Sequence, residues 1–219
     1  MKHSFLLIIP IILLLSCKKE NSPSFNERIT KGEKWGIQIG STPAEVFVQL
    51  QQAGIENNFD EVAIVYRKPS TQPEQIQNQL SFYQAITLQS NGERIDRAII
   101  KFNGEKVTAI DALPVEVGKW PQDLPDETAI HKDDAVASIY AKLQAIYKVQ
   151  AYSNYQIILP DKTLKKPFDA DMGNYDEWYF TFTKNIKSGL TGTSSVRLNF
   201  KDGKLSMIQH GYSENVIYN

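Results

Sequence analysis

The sequence predicts an α+β fold of two tandem units, each a four-stranded antiparallel sheet covered on one face by a helix. The first observation behind this prediction is a Lys-Trp pair that stands at Lys34-Trp35 and again at Lys119-Trp120. The second is that each pair precedes one amphipathic segment and then several short apolar runs separated by turn residues. The third is that the last hairpin of each half has nearly the same residue pattern. A domain built twice from one unit accounts for all three.

Residues 1–16 have the pattern of a signal peptide, with an apolar run shorter than the about 20 residues of a membrane-spanning helix. The run ends in Leu14-Leu15-Ser16-Cys17, which resembles the lipobox of bacterial lipoproteins. That resemblance implies cleavage before Cys17 and a covalent lipid on this residue. The alternative is an ordinary secretory signal with an incidental cysteine. Because Cys17 is the only cysteine, an intramolecular disulfide and a cysteine-based metal cluster are both excluded.

Residues 17–31 are polar and predict a lipidated, flexible tether between the membrane and the domain. Lys18 follows the cysteine, which by resemblance to Gram-negative lipoproteins implies sorting to the outer membrane, on its periplasmic or its surface side. Removal of the signal peptide would remove one lysine, so the mature chain would have 23 basic and 25 acidic side chains and a formal charge of −2. A chain of this charge has no basic field that would attract nucleic acid.

The first predicted unit spans residues 32–113 and begins with a strong helix signal. Thr42-Pro43-Ala44-Glu45 has the pattern of a capping box with proline at the first helical position. Apolar residues then recur on one helical face, and Gly54 suits the left-handed position after a helix, so a helix is predicted over Pro43–Ala53. Four strands are predicted after it, at residues 61–66, 82–88, 95–102 and 106–110.

The second predicted unit spans residues 114–219 and repeats this order. An apolar stripe predicts its helix and comprises Val136, Ile139, Tyr140, Leu143, Ile146 and Tyr147. Strands are predicted at residues 152–159, 178–183, 195–200 and 204–212. The hairpins Phe102–Ile110 and Phe200–Ile208 place phenylalanine, turn glycine, lysine and isoleucine at nearly the same positions. The two units could pack as two small domains or share one continuous sheet.

The residues Gly36 to Val46, together with Leu50, resemble the opening of two bacterial families. These are the SmpA/OmlA-type outer-membrane lipoproteins and the beta-lactamase-inhibitor-protein-like domains. The resemblance implies helices packed on an antiparallel sheet, a unit present twice, and a binding or scaffold role in the cell envelope. No functional residue carries over, because the matched positions cap and pack a helix. The chain departs from the inhibitor pattern in having one predicted helix per unit instead of a pair.

The sequence predicts no catalytic or metal site. His131 and His210 are far apart, and neither lies beside a nucleophile-elbow motif or zinc ligands of the usual spacing. The acidic stretch from Asp169 to Glu177 is the best candidate for calcium, but an EF-hand needs glycine at its sixth position and glutamate at its twelfth. Here Gly173 is fifth and Phe180 is twelfth, so an acidic surface loop is predicted.

The aromatic strand at 178–182 suggests a binding face. Alternation places Trp178, Phe180 and Phe182 in the core and turns Tyr179 to the opposite face. Tyr179 and Tyr212 are the predicted binding residues, since tyrosine is favoured at interface centres.

The sequence therefore predicts a lipid-anchored, non-catalytic envelope protein without a cofactor other than its covalent lipid. It is expected to be monomeric and to bind another protein as a scaffold, assembly factor or inhibitor. The alternative is a lipid-anchored carrier or sensor that holds a small apolar ligand between helix and sheet. A closed core under the helix would favour the first function, and an enclosed pocket there would favour the second.

Overall fold

The structure is a computed structural model that describes residues 23–92, 95–112 and 114–216. Cys17, the predicted signal peptide and the first part of the predicted tether lie outside the described residues. Within the described part of the chain, no helix has the length and apolar character needed to cross a membrane.

The described residues are mostly β, with 43% strand and 20% helix. These residues form two α-helices, α1 (Pro43–Asn57) and α2 (Val136–Tyr147), and three short 3-10 helices at Pro73–Ile76, Leu80–Phe82 and Ala170–Asn174. The strands in chain order are β1 (Ser24–Ile29), β2 (Glu33–Lys34), β3 (Ile37–Gln38), β4 (Glu61–Ile64), β5 (Ala85–Gln89), β6 (Arg97–Asn103), β7 (Lys106–Ala112), β8 (Val115–Glu116), β9 (Lys119–Trp120), β10 (Ile130–His131), β11 (Gln156–Ile158), β12 (Lys162–Thr163), β13 (Glu177–Lys187), β14 (Leu190–Lys201) and β15 (Lys204–Val216).

Two antiparallel sheets hold most of these strands. The large sheet has the order β1-β15-β14-β13-β4-β12, and the small sheet has the order β11-β5-β6-β7-β8. Two short ribbons, β2-β3 and β9-β10, complete the pairing among the described residues. Every paired strand is antiparallel to its neighbour, so each sheet can bury one face and leave the other in water.

The prediction of two tandem units, each with one helix and four strands, is wrong. The helix α1 and the strand β4 come from the predicted first unit, but they pack with β13, β14 and β15 from the second. In exchange, α2 and β11 from the second unit pack with β5, β6 and β7 from the first. Hydrophobic alternation identifies a strand without specifying its partner, and both sheets offer equivalent apolar faces. The fold class is therefore mostly β with nested segments, and the predicted boundary at 113/114 does not separate its cores.

Two hydrophobic cores result from this exchange. The first core lies between α1 and the large sheet and draws on residues 37–64 and 164–208. The second core lies between α2 and the small sheet and draws on residues 76–157. The chain thus leaves the first core after β4, builds the second core in one continuous stretch, and returns at β12.

The predicted capping box of α1 is present. The backbone N–H of Glu45 donates to Thr42 Oγ1 at 3.4 Å, and the N–H of Thr42 donates to Glu45 Oε2 at 2.8 Å. The helix ends later than predicted, because the left-handed cap is Asn58 with φ 60° and not Gly54. Gly54 instead allows a close approach, since a Cβ there would lie 2.5 Å from the carbonyl oxygen of Phe59.

The two similar hairpins are confirmed as β6-β7 and β14-β15. Each contains a β-bulge directly before its phenylalanine, between Lys101 and Phe102 in one and between Asn199 and Phe200 in the other. Both phenylalanines are buried, each in the core of its own sheet. The hairpins therefore agree in detail although the units that carry them are not tandem.

Two further elements of the large sheet differ from the sequence prediction. Ser24–Ile29, assigned to the tether 17–31, pairs along its length with β15 as the edge strand β1. The β13-β14 hairpin continues past the core to a turn at residues 188–189, where the sequence predicted strands ending at 183 and resuming at 195. Both extensions are polar and largely exposed, so apolar alternation does not reveal them.

Candidate functional site

The large sheet has an inner face against α1 and an outer face on which the described part of the chain places no helix. The side chains of Trp178, Phe180 and Phe182 are buried in the first core, as predicted. Tyr179 lies on the opposite face, also as predicted, and is half-buried. Cross-strand register places one outer row across four strands, consisting of Tyr179, Arg197, Gln209 and Arg28. The next outer row contains Ser195, Gly211 and Asn26.

These two rows, together with Glu27 and His210, which lie between them in the sequence, line a groove of about 530 Å³, which we call the outer groove. The guanidinium carbon of Arg197 lies 5.4 Å from the ring centre of Tyr179, and the same guanidinium forms an ion pair with Glu177. Arg28 stands on the edge strand β1 with an exposed side chain. The groove therefore offers an aromatic surface, two guanidinium groups and several uncharged hydrogen-bonding groups.

Tyr212 is not part of the outer groove. Its register with Ser194 and Phe182 places it on the inner face, where its ring stacks on Phe25 at 5.2 Å between centroids. A Cβ at Gly192 would lie 2.4 Å from the hydroxyl oxygen of Tyr212, so this glycine makes room for the ring. Tyr179 and Tyr212 therefore lie on opposite faces of the sheet, and the prediction that both belong to one binding face is wrong.

An unpredicted polar chain lies beside Tyr212 on the inner face. Ser194 Oγ lies 3.0 Å from His210 Nε2, and His210 Nδ1 lies 2.8 Å from Glu27 Oε1. Lys34 Nζ donates to the same Glu27 oxygen and forms an ion pair with it. Aromatic rings of Phe25 and Trp35 pack edge-on against His210 at 5.2 and 4.8 Å between centroids. Sequence reasoning missed this cluster because Glu27 and His210 are 183 residues apart and Glu27 belonged to the predicted tether.

Serine, histidine and carboxylate are connected here in the order found in nucleophilic hydrolases. Two observations favour a structural role. Ser194 and His210 are each only 5% exposed, so the hydroxyl has little access to a substrate. Burial and the nearby charge of Lys34 also lower the pKa of His210 to about 4, which makes it a weak general base. The cluster instead satisfies a buried histidine and joins the edge strand β1 to the sheet.

His210 is expected to make the stability depend on pH. Its folded-state pKa of about 4 lies below the unfolded value of about 6.5, so the unfolded chain binds the proton more tightly. The free energy of unfolding is therefore highest above pH 6.5. As the pH falls towards 4, it decreases by about 3 kcal/mol at most. Urea unfolding between pH 7 and 4.5 should show a shallower decline in His210→Gln than in the parent protein. Parallel curves for the variant and the parent would contradict the prediction.

A second buried polar cluster lies where the two cores meet, and we call it the junction. The hydroxyl of Tyr83, in the segment that leads into β5, donates to Asp169 Oδ2 at 2.9 Å and accepts from Arg67 Nη1 at 2.6 Å. Lys162 is fully buried, donates to the carbonyl oxygen of Thr163 at 2.9 Å, and lies 5.0 Å from the ring centre of Phe47. Burial lowers the pKa of Lys162 to about 8, although the charge of Asp169 opposes this shift.

The junction also accounts for the acidic stretch from Asp169 to Glu177. Asp169 is buried and caps the 3-10 helix Ala170–Asn174 by accepting from the N–H of Asp171 at 3.1 Å. The Asp169 carboxylate thus forms buried hydrogen bonds with Tyr83 and with the backbone of Asp171. The prediction of an acidic surface loop is wrong at this residue. Within the described ranges, no group of three or more His, Cys, Asp or Glu side chains could hold a metal ion.

Comparison with known proteins found no matching family model, no matching curated protein and no matching solved structure. The outer groove and the N-terminal sequence are therefore the features of the chain that bear on its function.

Proposed function

We propose that the protein is a lipid-anchored protein of the outer membrane that binds another protein non-catalytically through the outer groove. The observation that carries the proposal is that no helix among the described residues covers the outer face of the large sheet. There Tyr179 and two arginines surround a groove, while the opposite face is filled by α1. Tyrosine and arginine are among the residues that contribute most to binding at protein interfaces.

The charges of the groove indicate what kind of partner it takes. Arg28 has no ion pair among the described residues, and Arg197 is paired with Glu177 at the rim of the same face. Their strands β1 and β14 are separated only by β15, so the backbones of the two arginines are about 10 Å apart across the sheet. A partner segment with carboxylate side chains would satisfy both, because guanidinium groups bind carboxylates in bidentate geometry. The partner is therefore a protein with an acidic surface segment.

The packing under the helices supports protein binding over carriage of a small apolar ligand. Val46, Phe47 and Leu50 of α1 are at most 1% exposed against the large sheet. Ile139, Leu143 and Ile146 of α2 are completely buried against the small sheet. Side chains thus fill the space that a carrier would keep for its ligand.

The membrane part of the proposal rests on Cys17 and its lipobox-like context. Several acyl chains, at about 0.8 kcal/mol for each buried CH₂, would give a stable anchor without a membrane-spanning helix. The edge strand β1 begins at Ser24, so only a short segment separates Cys17 from the folded domain. The outer groove includes β1 and would be held close to the membrane.

Site-directed photo-crosslinking tests the proposal. A photoreactive residue in place of Gln209, at the centre of the groove, should form a crosslink in native membranes to a discrete protein identified by mass spectrometry. The combined variant Arg28→Glu and Tyr179→Ala should bind that protein about 30-fold or more weakly, as expected for the loss of interface hot spots. An acidic peptide from the crosslinked region should compete.

Arg97→Glu is the matched control, because it reverses an exposed arginine on the small sheet. It should leave binding unchanged, and all variants should keep the thermal unfolding midpoint of the parent within a few degrees. Undiminished binding of the groove variant, or a loss of binding explained by unfolding, would contradict the proposal.

A further inference from the structure

The tip of the β13-β14 hairpin lies at the same end of the large sheet as the start of the edge strand β1. The carbonyl oxygen of Pro23 accepts from the N–H of Glu214 at 3.2 Å, which places the start of the described chain near the end of β15. In the last row of the sheet, Lys187 pairs with Leu190 and Leu190 with Val216. The turn at residues 188–189 lies beyond this row, so the tip projects about 10 Å past Pro23 at about 3.3 Å per residue.

The length of chain between Cys17 and Pro23 limits how far this tip can lie from a membrane. Six residues, 17–22, precede Pro23, and at full extension they span at most about 21 Å. When the strands point towards the bilayer, the hairpin tip lies about 10 Å closer to the membrane than Pro23 does. A lipid on Cys17 would therefore keep the tip within about 11 Å of the surface in this orientation, close to the Debye length of about 8 Å.

The tip has the composition of a segment that rests on a charged lipid surface. Two exposed lysines, Lys184 and Lys187, flank Ile186, which is 45% exposed and sits at a β-bulge. Val216, 51% exposed, adds a second apolar side chain in the same end row. Glu214, which pairs with Gly192 in the sheet, brings a carboxylate to the same end and accepts from the hydroxyl of Tyr212 at 3.1 Å. Apolar side chains between cations are typical of contacts with the interface of anionic membranes.

We propose that this hairpin tip is a membrane-contact site that binds the headgroups of anionic phospholipids. The inference rests on the proposed lipid anchor at Cys17. With the lysines on the headgroups and Ile186 at the interface, the anchor and the tip form two contacts on one side of the domain. The anchor alone would let the domain rotate relative to the membrane. Two contacts fix its orientation, with the strands of the large sheet pointing towards the bilayer.

A fluorescent label at the tip tests the contact. Because a lipidated Cys17 leaves no other thiol, Ile186→Cys provides a unique labelling site for a polarity-sensitive dye in the mature, lipidated chain. In vesicles that contain phosphatidylglycerol, the emission should shift to shorter wavelength and return towards its value in water at high salt. A label at Val48→Cys, an exposed apolar position on α1, should keep its emission in water.

Charge variants provide the matched comparison. Lys184→Gln and Lys187→Gln should each weaken the tip contact about fivefold, as expected for one basic residue near an anionic surface. Lys201→Gln and Lys204→Gln, beside the turn at the opposite end of the same sheet, should have no effect. Equal effects of the two pairs would overturn the proposal.

Mass spectrometry of the N-terminal peptide separates failure of the contact from failure of the anchor. An acylated peptide combined with a label that remains in water would overturn the tip contact and leave the anchor intact. A peptide without acyl chains would overturn the anchor, and with it the inference. A spectral shift that occurs without vesicles and grows with protein concentration would show that a second copy covers the tip, which also overturns the proposal.

Discussion

Trp178→Ala is expected to lower the free energy of unfolding by about 3–5 kcal/mol, as usual for truncation of a large buried aromatic side chain. Trp178 is completely buried at the centre of the large sheet, and its ring lies 4.6 Å from that of Phe200 between centroids. Its indole N–H donates to the carbonyl oxygen of Met172 at 3.2 Å. The substitution therefore leaves both a cavity and an unsatisfied buried carbonyl group.

Urea unfolding followed by circular dichroism measures this loss. Tyr179→Ala is the matched control, because the neighbouring aromatic side chain lies on the outer face and supports no core. It should cost less than about 1 kcal/mol, as expected for a surface substitution. Similar losses for the two variants would mean that the outer face is covered, and would contradict both the assignment of faces and the proposed groove.

Asp169→Ala is expected to cost about 3–5 kcal/mol, the range for removal of one partner from a buried charged cluster. The substitution leaves the hydroxyl of Tyr83 without its acceptor and Lys162 without the opposing charge that raises its pKa. Because Tyr83 and Asp169 belong to segments of different cores, we also expect the two cores to unfold less cooperatively.

Two comparisons isolate the junction in that experiment. Asp171→Ala removes a nearby carboxylate that is only half-buried, and should cost less than about 1 kcal/mol. Adding Lys162→Met to Asp169→Ala should recover part of the loss, because it removes the buried charge that Asp169 compensated. Strictly additive effects of Lys162→Met and Asp169→Ala would contradict the coupling.

Local signals in the sequence predicted local structure well. The capping box at Thr42 and Glu45 and the two bulged hairpins each depend on residues close together in the chain, and all are present. The alternation that separates Trp178 from Tyr179 is equally local. The face on which Tyr212 lies could also be predicted from the sequence. Tyr212 is an even number of residues from the buried Ile208 on the same strand, so the two side chains share a face.

Long-range pairing could not be predicted in the same way. Strand β4 has an apolar pattern that would suit either sheet, and only the folded chain shows that it pairs with β13. The edge strand β1 is polar, so no alternation indicates it. The contact of Glu27 with His210 depends on the register of β1 against β15, which no spacing in the sequence encodes. The outer groove was accordingly predicted at Tyr179 but not at Arg28.

The nested path of the chain has a consequence for the order in which the protein folds during its synthesis. All segments of the second core are contiguous, so this core can form as soon as residue 159 has emerged. The first core must wait for β13, β14 and β15, and until then the apolar side of α1 has no sheet to cover it. Contacts of such long sequence separation form slowly and expose apolar surface meanwhile. A chain that is only partly synthesised therefore exposes the apolar side of α1 until the C-terminal strands are available to cover it.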